Sequence, residues 1–176
     1  LNNCMKKILL IIILFLFSVN NYANAEVPYF LDFKYILNQS DAGKKAQKYL
    51  KNKLENGLKS ISSKEKKLLE EEKKIIEQKK VISSEEYKKK VSELRKKVSS
   101  LQKERNTLLE SVSKQRTKAR NELLKNLNPI IKDYMNEKKI RMVVDKKSLL
   151  LADENLNITK EIMNLLNKKL QSINLK

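Results

Sequence analysis

The chain has 176 residues, with 39 Lys and Arg against 21 Asp and Glu, a net charge of +18. It holds only 2 Gly and 2 Pro, a single Cys, and neither His nor Trp. So little turn chemistry argues against a β-sandwich or a doubly wound α/β domain. Without His there is no Ser-His-Asp triad and no imidazole-ligated metal, and one Cys makes neither an intrachain disulfide nor a thiolate cluster. The composition points to a helical binding or scaffolding protein, not an enzyme, with no cofactor and no metal.

Met5-Lys6-Lys7 is followed by ten apolar residues, Ile8 to Phe17, and then by Ala23-Asn24-Ala25. A basic start, a short apolar run and a small-x-small close predict a secretory signal peptide over residues 1–25, cut between Ala25 and Glu26. An uncleaved anchor needs about 20 apolar residues, twice this run. Leu1 to Cys4 precede Met5, the expected start. The mature chain then has 151 residues, no Cys and a charge of +16, so its folding is indifferent to redox conditions. The signal has a bacterial look, which places the mature chain in the periplasm of a two-membrane cell.

Val27 to Phe33 is aromatic and aliphatic and reads as a strand, with Pro28 suited to its start. Asn38-Gln39-Ser40-Asp41 offers helix caps, and helical composition runs from Ala42 for about 40 residues. Leu54, Ile61, Leu68, Ile75 and Ile82 recur every seven residues, one position of a heptad. The complementary position holds Leu58, then Glu65, Glu72 and Lys79. Ser83 and Glu86 have capping-box spacing, which marks a new helix start and hence a turn. Tyr87, Val91, Leu94, Val98 and Leu101 follow at alternating four- and three-residue steps, continued through Arg105, Leu108, Val112, Gln115 and Ala119. Two long helices with so short a turn should lie antiparallel. The alternative is one continuous coiled coil through residue 120. The expected arm covers 44–120, with its tip near 81–84; its polar seam positions should weaken the packing and let it flex.

Past Ala119 a denser apolar face runs through Leu123, Leu124, Leu127, Ile130, Ile131, Tyr134 and Met135. Pro129 lies inside it, so a kink or restart is expected there. Ile140 to Val144 and Leu149 to Ala152 are short apolar runs, with a turn at Asp145 to Ser148. Thr159 is placed to cap a final helix with Ile158 stapling against Met163, and with Ile162, Leu165, Leu166 and Leu170 as its buried face. Residues 26–43 and 121–176 are 74 in all and should form one small body of about three strands and two or three helical pieces. The fold class expected is mainly α with a small β part (α+β), a long hairpin projecting from that body. A unit of this size with open strand edges is expected to oligomerise.

Leu31-Asp32-Phe33-Lys34-Tyr35-Ile36-Leu37-Asn38-Gln39-Ser40-Asp41-Ala42-Gly43-Lys44-Lys45-Ala46-Gln47 resembles the N-terminal signature of the Skp/OmpH family of periplasmic chaperones of outer-membrane proteins. Asn128-Pro129-Ile130-Ile131, Met142 to Lys146, Leu151-Ala152-Asp153 and Asn157 to Ile162 with Leu166-Asn167 resemble its second signature. One departure is Asn157, where the family commonly has Asp before Ile-Thr; capping ability is kept. The resemblance implies a homotrimer held by its small bodies, three helical hairpins projecting from it, and a cavity between them for unfolded outer-membrane protein. The body residues expected at the association surface are Tyr29, Leu31, Phe33, Ile130, Ile131, Met142, Val143, Val144, Leu150 and Leu151.

Residues 44–120 carry a net +14. A solvated helix face explains any single cluster, but a field of one sign along the whole arm suits acidic partners. Acidic unfolded outer-membrane chains fit best, and anionic lipid or lipopolysaccharide fits the tips and outer faces. Nucleic acid is disfavoured by export and by the lack of a groove-reading motif. On this reading Lys73, Lys74, Lys79, Lys80, Lys88, Lys89, Lys90, Arg95, Lys96 and Lys97 attract the client, and Ile75, Ile76, Val81 and Ile82 retain it. The lack of a Gly-rich phosphate loop agrees with ATP-independent holding. The rival is a structural spacer or envelope-tethering coiled coil. Asp32, Asp145 and Asp153 are expected as caps and turn formers, not as catalysts.

Overall fold

The computed structural model describes residues 27–175. The expected signal segment, its cut site and Cys4 lie outside the described residues. In chain order the elements are β1 (Tyr29–Leu31), α1 (Phe33–Gln39), α2 (Asp41–Gln78), α3 (Ser84–Lys138), β2 (Val143–Asp145) and α4 (Thr159–Lys169). Single 3-10 turns occupy Lys146–Ser148 and Glu154–Leu156.

The long pair α2 and α3 is an antiparallel hairpin. Lys53 reaches Gln115, Lys64 reaches Glu104, Glu71 reaches Lys97 and Gln78 reaches Lys90, so partners descend on α3 as they ascend on α2. With 38 residues, α2 is about 57 Å long at 1.5 Å per residue. The turn falls between Gln78 and Ser84, and Ser83 Oγ accepts from the Glu86 N–H at 3.1 Å, as the capping-box spacing predicts.

At the other end of the arm, α1 passes into α2 with only Ser40 between them. Its buried hydroxyl accepts from the Gly43 N–H at 3.2 Å. A Cβ at Gly43 would overlap the Leu37 carbonyl, so this tight corner needs glycine.

The core by the corner joins both ends of the chain. Leu31 and Ile36 pack with Leu123, Leu127 and Ile130 of α3 and with Ile158, Ile162 and Leu166 around α4. β1 and β2 pair in parallel, Tyr29 with Val143 and Leu31 with Asp145. On the other edge of β1, the Phe30 carbonyl accepts from the Ile158 N–H at 2.9 Å.

Several local expectations are corrected. The first strand is three residues long because Asp32 starts a helix: its carboxylate accepts from the Tyr35 N–H at 2.7 Å. α3 runs unbroken through Pro129 without restarting. Pro129 and Lys125 are both exposed, so water can serve the carbonyl that proline leaves without a donor. Leu149 to Ala152 forms no strand, which leaves two strands where three were expected. Thr159 is the first residue of α4 and not its cap; its hydroxyl accepts from the Asp32 N–H at 2.8 Å, 127 positions away. The N-cap position is Ile158, whose side chain offers no acceptor; one residue earlier, Asn157 Oδ1 accepts from the Thr159 N–H at 3.1 Å. Leu165 is more exposed than the α4 pattern suggested, while Ile162 and Leu166 are fully buried.

α3 ends in a Schellman arrangement. The Ile140 N–H donates to the Met135 carbonyl at 2.8 Å and the Lys139 N–H to that of Asn136 at 3.3 Å. Lys139 stands at φ 57°, the left-handed region normally given to glycine. A side chain there costs about 1–2 kcal/mol, part of which glycine gives back through its freer unfolded chain. Lys139→Gly should therefore stabilise the protein by up to about 1 kcal/mol in urea unfolding. No gain would mean that the Lys139 side chain supplies compensating contacts.

Candidate interaction surfaces of the arm and body

The seam of the hairpin is apolar but narrow. Ile61, Ile75, Leu101 and Val112 are buried along it, and Leu108 occupies the space that a Cβ at Gly57 would need. The polar seam residues are not simple interruptions. Glu65 and Arg105 meet across the hairpin at 3.3 Å. Gln115 accepts from Lys53 Nζ at 2.9 Å and donates to the Leu175 carbonyl at 2.5 Å. That second bond ties down the chain's last described residues, and Leu175 is buried against Ala46, Leu50, Val112 and Ala119. The sequence carried little signal for this tail, because Ile173 and Leu175 alternate but are too few to mark an element, although Ile173 also packs against the cluster.

The predicted arm cations divide into two groups. Lys97 is bound to Glu71 at 2.6 Å, Lys90 bridges Glu86 and Gln78, and Lys79 sits 5.7 Å from the Tyr87 ring centroid. Lys73, Lys74, Lys80, Lys88, Lys89, Arg95 and Lys96 are exposed and meet no acid among the described residues. Arg95 borders a groove of about 620 Å³ midway along the arm, beside Leu69 and Val98, which are exposed. Of the apolar set, Ile76 and Val81 are 58% and 79% exposed, and Ile82 is half-buried. Ile75 is buried in the seam, which removes it from any surface that a partner touches.

The predicted association residues divide in the same way. Leu31 and Ile130 belong to the core of the single chain. Leu150 and Leu151 are 97% and 91% exposed, and Met142 is 58% exposed. Tyr29, Phe33, Ile131, Val143 and Val144 are half-buried between these extremes.

The carboxylates singled out in the sequence serve as caps and turn formers. Asp32, Asp145 and Asp153 each accept a nearby backbone N–H, from Tyr35, Lys147 and Asn155 respectively. A hydrogen bond from Lys114 holds the Glu110 carboxyl below the usual range, and one to Glu137 raises Lys138. Desolvation raises the Tyr134 phenol, with the Glu161 charge adding to it. None of the three lines the mid-arm groove. Among the described residues no group of three or more Asp, Glu, Cys or His is placed to hold a metal ion. Nor is any described helix long and apolar enough to cross a membrane.

The sequence profile of the family described as "Outer membrane protein (OmpH-like)" matches residues 29–166. The chain belongs to this OmpH-like family. Its fold is similar to the crystal structure of a candidate outer membrane chaperone (OmpH-like) from Caulobacter crescentus CB15. The TM-score is 0.78 at 18% identity, with 84% of this chain and 89% of that chain covered. No curated protein matches at the level of sequence.

The arm should be held by its seam and not by its ion pairs. Lys64–Glu104, Glu71–Lys97 and Glu65–Arg105 are all well exposed, a setting in which a pair contributes about 0.2–1 kcal/mol. Ile61 is 1% exposed, and truncating such a residue to Ala costs about 2–5 kcal/mol. Ile61→Ala should thus destabilise more than Glu65→Gln, Glu71→Gln and Glu104→Gln combined in thermal unfolding. The reverse order would place the ion pairs in charge of the hairpin.

Proposed function

We propose that the chain is an ATP-independent periplasmic holdase, which binds unfolded outer-membrane β-barrel proteins between basic helical arms and keeps them soluble for delivery. It assembles as a homotrimer through its body and performs no catalytic step. The observation that carries this reading is the arm itself. In a chain of the OmpH-like family, a long hairpin with net charge +14 leaves seven of the expected cations unpaired and scatters apolar residues such as Ile76 and Val81 in the open. Unfolded barrel strands expose alternating apolar residues and must not collapse before insertion. Many weak contacts on such an arm suit them. For the trimer, the support is the Leu150-Leu151 loop: two adjacent leucines almost wholly in water are unfavourable until another surface covers them.

The test is a urea-diluted β-barrel protein followed by light scattering. The wild-type chain should suppress its aggregation without nucleotide, whereas a spacer or tether should not. Reversing Lys73, Lys88, Lys89 and Lys96 to Glu, which leaves the paired Lys90 and Lys97 alone, should slow capture severalfold and flatten its dependence on salt. Capture unchanged by both reversal and salt would reduce the arm charge to a solubility device. Leu150→Asp with Leu151→Asp should convert the assembly to monomers in analytical ultracentrifugation. A wild-type monomer at micromolar concentration would remove the trimer from the proposal.

A further inference from the structure

At the root of the arm, beside the α1–α2 corner, a groove of about 810 Å³ opens between α2 and α3. Lys44, Lys48 and Lys51 line it from α2, and Arg116 and Arg120 from α3. Residues three and four apart share a helix face, and like charges at that spacing are destabilising. Both walls therefore carry a repulsive stripe. No Asp or Glu lines the groove. Lys51 reaches Glu55 at 3.7 Å, but the other four cations meet no acid among the described residues. All five are exposed and screened by water and salt, so the repulsion is mild, but a bound carboxylate would relieve it, and the planar forks of two arginines suit carboxylates.

The apolar surface still open in the groove comes from Leu37 and Leu54, both half-buried; Ala46, Leu50 and Ala119 at its base are buried in the chain's own packing. One end is lined by amides. Gln47 Nε2 donates to Asn38 Oδ1 at 2.7 Å, which leaves Asn38 Nδ2 and Gln47 Oε1 to offer a donor and an acceptor. An anionic lipid would use the cations, whereas an extended peptide also brings a donor and an acceptor at every residue, which match the amides. We infer that this root groove binds an extended acidic segment of an unfolded polypeptide, its carboxylates on Arg116, Arg120, Lys44 and Lys48, its apolar side chains on Leu37 and Leu54 and its peptide groups at the amide end. The inference takes its occupant from the holdase reading; the site stands on the groove's own geometry.

The test is fluorescence anisotropy on the full chain with two labelled 12-residue peptides, one alternating Asp and Val, the other Asn and Val. Arg116→Gln with Arg120→Gln should weaken the acidic peptide at least fivefold. Adding Lys44→Gln and Lys48→Gln should bring it down to the level of the Asn peptide. Both variants should melt at or slightly above the wild-type temperature, since like-charge repulsion is relieved, and this separates lost binding from lost folding. Unchanged affinity for the acidic peptide overturns the inference. So does a result in which the four substitutions abolish binding to phosphatidylglycerol vesicles but spare the peptide, which would assign the groove to a membrane surface. Barrel-protein holding by the wild type is measured in parallel. If holding fails while the peptide effect is seen, the holdase reading falls and the groove stands; if holding succeeds and peptide affinity is unmoved, the groove inference falls alone.

Discussion

The burial of Leu123, Leu127 and Ile130 on one face of α3 joins two stretches of chain that the arm separates. Everything else hangs on that contact. β1 and α1 come from one end of the sequence, β2 and α4 from the other, and neither buries an apolar face without α3. The loop closed between them is long, but closure entropy grows only slowly with length. Because α3 continues through Pro129, the helix that anchors this core is also one strand of the arm. Leu123 in the core is one helical turn from Ala119 in the cluster at the arm's root. The arm's direction at its root is therefore set by side-chain packing and not by a hinge.

The arm was legible in the sequence because its information is periodic and local. A seven-residue repeat from Leu54 to Ile82 specifies a helix and a seam together. Ser83 with Glu86 marked the turn, and the Ser83 cap is formed as that spacing requires. The body was harder to read because its contacts are few and distant. β1 and β2 are three residues each and pair across more than a hundred positions, so neither has the length to show alternation. Leu149 to Ala152 looks like a strand by composition, yet no described residue pairs with it, and composition alone does not tell an exposed apolar loop from a buried strand. Thr159 was legible as a cap by type only; its actual acceptor role towards Asp32 is a tertiary bond. Asn157 shows the reverse: it is legible as a capping type, and its amide oxygen does accept a backbone N–H, that of Thr159.

The candidate surfaces were legible in charge and not in detail. Sequence counts the cations but does not say which are already used. Lys97 and Lys90 look like their neighbours Lys96 and Lys89, and only the register of α2 against α3 decides that Glu71 and Gln78 face the first pair. The root groove was missed for the same reason. Lys44 and Lys48 lie far in sequence from Arg116 and Arg120, and the hairpin alone brings them to one opening.

The arm's apolar residues are as informative as its charges. Ile76 and Val81 are exposed singly near the tip, with Lys and Glu around them, and Leu69 and Val98 meet only in the small mid-arm groove. Under the holdase reading, a contiguous apolar patch would bind a client more tightly, but it would also draw arms to one another and aggregate the holder. Sparse apolar contacts avoid this at the cost of weak individual binding. Strength then has to come from number, because contacts linked along one arm raise each other's effective concentration. Reach has to come from charge, which acts over about 10 Å at 0.1 M salt where apolar contact acts only on touch. Under the holdase reading, the same sparseness removes the need for an energy source at release. No single contact is strong, so a client that begins to bury its own apolar residues competes successfully with each contact in turn.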